Sequence, residues 1–155
     1  MTRPTLRLRP LTEADRAAWE PLWEGYLRFY ETSVPKATTD LTWSRLLDPA
    51  EPMHVIGAFG QDEEGGERLL GIVHYLFHRT TWTPGDNCYL QDLFTLPEAR
   101  GRGAGRALIE AVYAKAKAAG AARVYWLTQN HNTTARALYD KLADHPGFTV
   151  YRKAM

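Results

Sequence analysis

The sequence predicts an α/β domain in which a mixed sheet carries helices on both faces, in the chain order βααβββαβαβ. Short apolar runs of strand length alternate with segments whose apolar residues recur at helical spacing. The 155 residues are 45% hydrophobic and 24% charged, which is ordinary for one globular domain spanning residues 1–155. A glycine-rich segment also joins one predicted strand directly to a predicted helix.

The amino-terminal third is predicted to form one strand and two helices. Residues 6–9 alternate between apolar and charged side chains, as a half-buried strand does. Thr12 can cap the first helix, and a short second helix begins at Thr39 or Asp40 and is closed by Asp48-Pro49. One face of the first helix is buried or lines a cleft; its residues are Trp19, Leu22, Trp23, Tyr26, Leu27 and Tyr30.

The rest of the chain alternates strands and helices. Residues 53–59 and 69–77 predict a hairpin, because the polar turn 61–67 joins them. The remaining predicted elements are a strand at 88–96, a helix to about residue 119, a strand at 123–129, a helix from 133 to about 143 and a last strand at 148–152.

Composition disfavours several classes of function. A net charge of +1 gives no field that would draw the chain to nucleic acid or to a membrane surface, and no apolar run has membrane-spanning length. The single cysteine, Cys88, cannot form an internal disulfide. His74 and His78 stand about 13 Å apart at the rise of a strand, too far to share a metal ion. We therefore expect a cytoplasmic protein with no metal.

Residues 100–106, Arg-Gly-Arg-Gly-Ala-Gly-Arg, give the strongest functional signal. Glycine at every second position lets the backbone approach a ligand, and the start of the following helix presents free N–H groups and the positive end of its dipole. Three arginines add positive charge, so the segment predicts a site for a pyrophosphate-sized anion. The spacing fits neither a P-loop, which needs Lys-Ser/Thr after its last glycine, nor the dinucleotide fingerprint. A glycine-rich turn without a ligand is the alternative, and the flanking strand and helix disfavour it.

Two motifs together resemble those of the GNAT superfamily of N-acetyltransferases. Arg100, Gly103 and Gly105 match the pattern Arg/Gln-x-x-Gly-x-Gly/Ala of that family's acetyl-CoA pyrophosphate loop. Residues 132–139 match its second motif, Asn-x-x-Ala-x-x-Leu/Phe-Tyr, and they follow a strand-like run as the family requires. The resemblance covers nearly the whole chain, with its specificity concentrated in residues 88–142. It implies a GNAT-like, mostly antiparallel sheet, acetyl-CoA as cosubstrate and a homodimer.

The resemblance also implies which residues bind acetyl-CoA. In relatives, two adjacent strands splay apart near the loop, and their free N–H groups bind the pantetheine and polarise the acetyl carbonyl. On the matching positions of this chain, the cofactor-binding residues are Leu93, Phe94, Thr95, Arg100, Gly101, Arg102, Gly103, Ala104, Gly105, Arg106, Asn132, Ala135 and Tyr139. Asn132 alternatively serves as the cap of its helix, a role compatible with a contact to the CoA arm.

Three residues are candidates for catalysis. Tyr139 is the expected general acid for the CoA thiolate, since the two acids differ by roughly two pKa units, and a core aromatic is the alternative. Residues 89–94 are similar to the Tyr-Leu-Glu-Asp-φ-Phe/Tyr strand of the branch that acetylates polyamines, related small amines and histone tails. That branch has a glutamate base where this chain has Gln91, which can only orient a water. Asp92, expected on the opposite face of the strand, either binds the acceptor's ammonium group, acts through water or forms a salt bridge.

The expected acceptor is a small, polyamine-like primary amine that attacks acetyl-CoA directly in a ternary complex. Aromatic faces attract ammonium cations, so Tyr26, Phe29, Tyr30 and Trp82, with Asp92, are the candidate acceptor-binding residues; burial in the core is the alternative. Two other functions stay open: a non-catalytic acyl-CoA-binding module and an enzyme that acetylates protein lysines or amino termini. We expect no nucleic-acid or membrane partner.

Overall fold

The computed structural model describes residues 5–155, in which five strands and four helices follow one another in nearly the predicted order. The elements are β1 (Arg7–Pro10), α1 (Arg16–Phe29), α2 (Lys36–Leu47), β2 (Met53–Gln61), β3 (Glu67–His78), β4 (Asn87–Thr95), α3 (Ala104–Ala118), β5 (Arg123–Tyr125) and α4 (Thr133–Leu142). Single 3-10 turns, Glu13–Asp15 and Pro97–Ala99, precede α1 and the loop before α3.

The strands form one sheet in the order β1-β2-β3-β4-β5. Every neighbouring pair is antiparallel except β4 and β5, which run parallel over three residue pairs only. Bulges interrupt the ladders at Leu70 of β3 and at Gln91 of β4. The predicted fold class, a mixed and mostly antiparallel sheet with helices on both faces, is confirmed.

Each face of the sheet buries its own apolar core. Beneath α3, Leu108, Ile109 and Val112 are completely buried against one face. Beneath α1 and α2, Trp19 is completely buried against the other. Apolar burial of this kind is the main favourable term in folding, so the two cores fix the sheet between the helical layers and set which residues face α1.

The second helix begins earlier than predicted. It starts at Lys36 because Pro35, with φ of −58° and ψ of 150°, takes the N-cap position. The Pro35 carbonyl accepts the N–H groups of Thr38 and Thr39 at 2.9 and 3.1 Å. Thr39 therefore lies inside the helix, where its hydroxyl accepts a hydrogen bond from the Trp23 indole at 3.1 Å.

The last predicted strand is wrong for the single chain. Residues 144–155 form neither helix nor strand, and Phe148, Val150 and Tyr151 are 84%, 59% and 94% exposed. A strand needs a neighbouring backbone edge to satisfy its N–H and C=O groups. The edge available here is too short, because β5 ends at Tyr125 instead of continuing to residue 129 as predicted.

Within residues 5–155, every helix is too short or too polar to cross a membrane. The same residues hold no cluster of three histidine, cysteine or acidic side chains arranged as metal ligands.

Candidate active site

The predicted anion loop lies between β4 and α3. Gly101 and Gly103 both have φ of +80°, and a Cβ built on either would meet no atom within 4 Å. Backbone conformation, rather than crowding, therefore requires glycine at these two positions. Gly103 is the N-cap of α3 and no side chain caps the helix. The N–H groups of residues 104–106 consequently have no acceptor within the helix.

Charge around this loop is positive. Arg100 is exposed and Arg102 is half-buried, and neither forms an ion pair with any residue in 5–155. Arg106 pairs with Glu110 of the next helical turn at 3.0 Å. Free helix N–H groups, two glycines with space around them and two unpaired guanidinium groups fit a diphosphate.

The sheet opens beside the loop. β4 and β5 separate after Tyr89 and Tyr125, whose rings stack with their centroids 4.9 Å apart. Beyond this point β4 pairs only with β3, so the outer backbone edge of residues 90–95 faces no other strand in the described part of the chain. The predicted cofactor-binding residues 93–95 lie on this free edge.

Helix α4 borders the opening and carries the second motif. Asn132, Ala135, Leu138 and Tyr139 share one half-buried face, as their spacing of three and four residues requires. Leu138 lies 3.9 Å from the place that a Cβ on Gly105 would occupy, so α4 stands against the first turn of α3. Asn132 is the N-cap by position, but its side chain makes no capping hydrogen bond. The alternative in which this side chain serves as a cap is therefore wrong.

A bulge in β4 decides the direction of Asp92. In the ladder with β3, Tyr75 pairs with Leu90 and His74 pairs with Asp92, which leaves Gln91 as an extra residue. The extra residue interrupts the alternation of faces, so the prediction that set Asp92 opposite Gln91 by simple alternation does not hold. Asp92 faces His74 and α1, whereas Gln91 is exposed.

Three tyrosines lie near the Asp92 carboxylate. Tyr26 lies in α1 and hydrogen-bonds to Asp92, Tyr30 is the C-cap of α1 with its ring centroid 4.9 Å from that of Tyr26, and Tyr89 comes from β4. Burial raises the pKa of each phenol above its ordinary value, and the negative charge of Asp92 raises all three pKa values further. All three phenols are therefore protonated at neutral pH and can donate hydrogen bonds.

Tyr139 approaches the same cluster from α4. Its ring meets Trp126 edge-on at 5.4 Å between centroids. Burial raises the pKa of Tyr139, and the nearby Tyr30 phenol adds to the shift. Tyr30 thus interacts electrostatically with both Asp92 and Tyr139.

Sequence reasoning missed His74. Its Nδ1 lies 2.9 Å from Oδ2 of Asp92, and its Nε2 lies 3.0 Å from the indole Nε1 of Trp19. The available signal was a histidine inside an otherwise apolar strand, between Val73 and Tyr75. A buried polar residue requires a polar partner, but the sequence did not say which one.

Trp82 lies apart from the cluster. It is 79% exposed and its indole is 5.8 Å from the guanidinium of Arg123, at the end of β4 opposite to Asp92. Phe29 is 53% exposed and packs against the edge of Tyr30. Of the predicted aromatic residues, Tyr26 and Tyr30 are the two that reach Asp92.

A cavity of about 770 Å³ occupies the end of the sheet where β4 begins. Leu46, His54, Phe77 and Lys115 are among its lining residues, and no predicted site residue lines it. The candidate site is instead an open cleft, bounded by the loop before α3, by α4 and by the free edge of β4.

The chain matches known acetyltransferases in sequence and in fold. Residues 19–143 match the model of the acetyltransferase (GNAT) family. The D-amino-acid N-acetyltransferase of Saccharomyces cerevisiae is 34% identical over 153 residues, which covers 99% of this chain and 93% of that protein. A probable acetyltransferase has a TM-score of 0.80 at 21% identity, covering 96% of this chain and 97% of that one. An aminoglycoside N-acetyltransferase solved with CoA has a TM-score of 0.78 at 18% identity, covering 98% and 97%. The chain therefore belongs to the GNAT family of acetyltransferases.

Proposed function

We propose that this acetyltransferase transfers the acetyl group of acetyl-CoA to a primary amine of a small, cationic acceptor by direct attack in a ternary complex. The observation that carries the proposal is the separation of β4 and β5 beside the anion loop, with α4, which carries Tyr139, packed against the first turn of α3. A carboxylate and a protonated phenol suit an incoming ammonium group and a departing thiolate. In the reaction, a nitrogen–carbon bond forms and the carbon–sulfur bond of the thioester breaks.

Acetyl-CoA is held mainly by backbone groups in this proposal. The diphosphate lies on the N–H groups of residues 101–106, with Arg100, Arg102 and Arg106 supplying positive charge. The free edge of β4 at residues 93–95 binds the pantetheine and polarises the acetyl carbonyl. Asn132 and Ala135, on the α4 side, contact the pantetheine arm of acetyl-CoA.

The acceptor binds on the opposite side of the cleft. Its ammonium group meets the Asp92 carboxylate and the faces of Tyr26 and Tyr30, which attract cations. An ammonium ion cannot attack, so a water, oriented by Gln91 or Asp92, takes one proton before the nitrogen reaches the thioester carbon. Holding both substrates in one cleft supplies much of the rate by proximity.

Tyr139 serves as the general acid. Burial raises its pKa, so the phenol keeps its proton at neutral pH and can give it to the thiolate of CoA. The nitrogen loses a second proton to water as the tetrahedral intermediate collapses, and the tyrosinate regains one proton from solvent, so that one proton is released overall.

The charge of the acceptor cluster favours amines without a nearby carboxylate. Asp92 is its one acidic group, and no lysine or arginine of residues 5–155 pairs with Asp92 or its three tyrosines. An amino acid such as that acetylated by the yeast relative brings a carboxylate that would face Asp92. We therefore rank polyamine-like amines above free D-amino acids as acceptors.

We also infer a homodimer. The exposed apolar residues Phe148, Val150 and Tyr151 support this proposal, because a second copy offers the edge that the predicted last strand lacks. Light scattering on wild type and on Tyr151→Lys tests it, with the substitution expected to shift the protein toward monomers.

The test of the proposal is steady-state acetylation of polyamines, D- and L-amino acids, aminoglycosides and peptides. Tyr139→Phe is expected to lower kcat about 100-fold and to leave the KM for the amine nearly unchanged. Tyr75→Phe is the matched control, since it removes a buried phenol on the other face of the sheet. Equal rates for Tyr139→Phe and wild type would exclude Tyr139 as the acid. Tight binding of acetyl-CoA with no turnover on any amine would favour a non-catalytic module.

A further inference from the structure

A hydrogen-bonded chain of three side chains runs from the core to the cleft. Trp19 is completely buried, His74 is 4% exposed, and the Asp92 side chain is 14% exposed. The indole Nε1 of Trp19 lies 3.0 Å from Nε2 of His74, and Nδ1 of His74 lies 2.9 Å from Oδ2 of Asp92. Asp92 is the most exposed member of the chain.

The first hydrogen bond fixes the tautomer of His74. An indole N–H can only donate, so Nε2 of His74 must accept and carries no proton. The single proton of the neutral imidazole is therefore on Nδ1, and Nδ1 donates to the Asp92 carboxylate.

Packing fixes the orientation of the ring. Trp19 and Trp23 lie against it, with centroids 6.0 and 5.5 Å from the imidazole centroid. The ladder between β3 and β4 sets His74 directly opposite Asp92, on the α1 side of the bulge. The two indoles and the strand register therefore hold the Nδ1–H of His74 in a single direction, toward Asp92.

The carboxylate of Asp92 keeps acceptor capacity beyond its protein partners. Oδ2 accepts the Nδ1 proton of His74, and the Tyr26 phenol also hydrogen-bonds to the carboxylate. An ionised carboxylate has about four lone-pair sites, so these two donors leave sites unused. His74 thus holds one oxygen in place and leaves acceptor sites for a cation that enters beside the tyrosines.

We propose that His74 is a positioning residue: held as the Nδ1–H tautomer by Trp19, it fixes Oδ2 of Asp92 and so orients the unused lone pairs of the carboxylate toward the ammonium group of the acceptor. The inference rests on the proposed function, because it assigns acceptor binding to Asp92. The imidazole keeps its proton throughout the reaction, and it neither attacks nor relays.

The tautomer is tested by two-bond proton–nitrogen correlation NMR on protein labelled with ¹⁵N-histidine, with His74→Gln used for assignment. Wild type is expected to show His74 with its proton on Nδ1. Trp19→Phe keeps most of the ring packing but removes the N–H donor, so a share of the Nε2–H tautomer is expected to appear. A wild-type protein with the proton on Nε2, or with protons on both nitrogens, would overturn the proposal. This readout requires no substrate.

Activity is tested with two amide substitutions at the same position. The Asn side-chain nitrogen is as many bonds from Cα as Nδ1, and the Gln nitrogen is as many as Nε2. His74→Asn therefore keeps a donor for Asp92, while His74→Gln keeps an acceptor oxygen for Trp19 and has no donor at the position of Nδ1. We expect His74→Gln to raise the KM for the amine about tenfold and His74→Asn to recover most of this loss, with the KM for acetyl-CoA unchanged in both.

The controls separate positioning from folding. His54→Gln removes a half-buried imidazole on the other face of the sheet and is expected to leave the KM for the amine unchanged. Thermal unfolding of all variants is measured alongside. If the KM for the amine follows the melting temperature across the His74 variants, with no difference between Asn and Gln, His74 is structural only. If Asp92→Asn keeps the wild-type KM for every amine, the proposed acceptor site fails, whatever tautomer the NMR spectrum shows.

Discussion

The two sides of the cleft are built differently. The proposed donor side, meaning residues 93–106 with the facing turn of α4, offers backbone N–H groups, positive-φ glycines and the unpaired Arg100 and Arg102. The proposed acceptor side, meaning Asp92 with His74, Trp19 and the three tyrosines, consists of side chains from α1 and its C-cap, β3 and β4. Local chain geometry thus makes one side, and tertiary packing makes the other. Damage to each should therefore appear in different measurements.

The largest expected effect on stability comes from Asp15, which anchors the start of α1 and so supports the acceptor side. Asp15, just before α1, accepts two hydrogen bonds from Arg9 at 2.8 and 3.0 Å and one from the Thr12 N–H at 2.7 Å. The Arg9 guanidinium, followed by the Thr12 N–H, lowers the pKa of Asp15 to about 2 against the cost of burial. Asp15→Asn is expected to lower the free energy of unfolding by about 2 kcal/mol near neutral pH.

The stabilisation by Asp15 depends on pH in one direction. Because the pKa of Asp15 is lower in the folded state than in the unfolded chain, its stabilisation is complete above about pH 4 and is lost as the pH falls toward about 2. Urea unfolding at several pH values should show that decline in wild type and less of it in Asp15→Asn. Parallel curves for the two proteins would contradict the assignment.

Backbone strain at Gly103 should weaken the binding of acetyl-CoA without affecting the binding of the amine. Gly103→Ala places a Cβ on a residue with φ of +80°, at a cost of about 1–2 kcal/mol, and shifts the start of α3. The KM for acetyl-CoA is expected to rise about tenfold while the KM for the amine stays the same. Gly65→Ala is the matched control, because Gly65 has φ of +81° and equal free space in the β2–β3 turn. Similar kinetics for the two variants would argue against a phosphate site at the loop.

A smaller effect on the KM for acetyl-CoA should distinguish Arg102 from Arg106. Arg102 has no acidic partner in the described residues, whereas Arg106 is already paired with Glu110. Arg102→Gln is therefore expected to raise the KM for acetyl-CoA about fivefold at low salt, and Arg106→Gln less than that. Titration with NaCl checks the electrostatic origin, since the difference should shrink as the salt concentration rises.

The smallest effect is expected at the bulge. Gln91 is exposed, so a carboxylate there is solvated and interacts weakly with the cluster. Gln91→Glu should change kcat/KM for the amine by about twofold across the pH range. If Gln91→Glu raised kcat/KM for the amine well above tenfold at low pH, a carboxylate at position 91 would be acting as the base. Asp92 would then not supply that base in the wild-type protein.

The sequence predicted the local structure of the proposed donor side better than that of the proposed acceptor side. The loop and the helix after it depend on residues close together in the chain, so glycine positions and helical spacing were enough to predict their structure. Tyr139 was singled out by the resemblance to the second GNAT motif. The direction of Asp92 depends on an extra residue in the β3–β4 ladder, and its partner His74 lies 18 positions away. Neither a bulge nor a strand register can be derived from the alternation pattern of one strand.

The carboxy-terminal segment shows the same limit. Residues 148–152 have the composition of a strand, but no edge within the described chain pairs with them. A pattern of side chains indicates a preference for the strand conformation, but a strand forms only where a second backbone is present to pair with it. The prediction was wrong in the single chain for that reason.

The structure of the complex with CoA tests the central claim most directly. The account predicts the diphosphate within hydrogen-bonding distance of the backbone N–H groups of residues 101–106, with the sulfur close to the Tyr139 phenol. A diphosphate bound elsewhere, or a sulfur remote from both Tyr139 and Asp92, would contradict it.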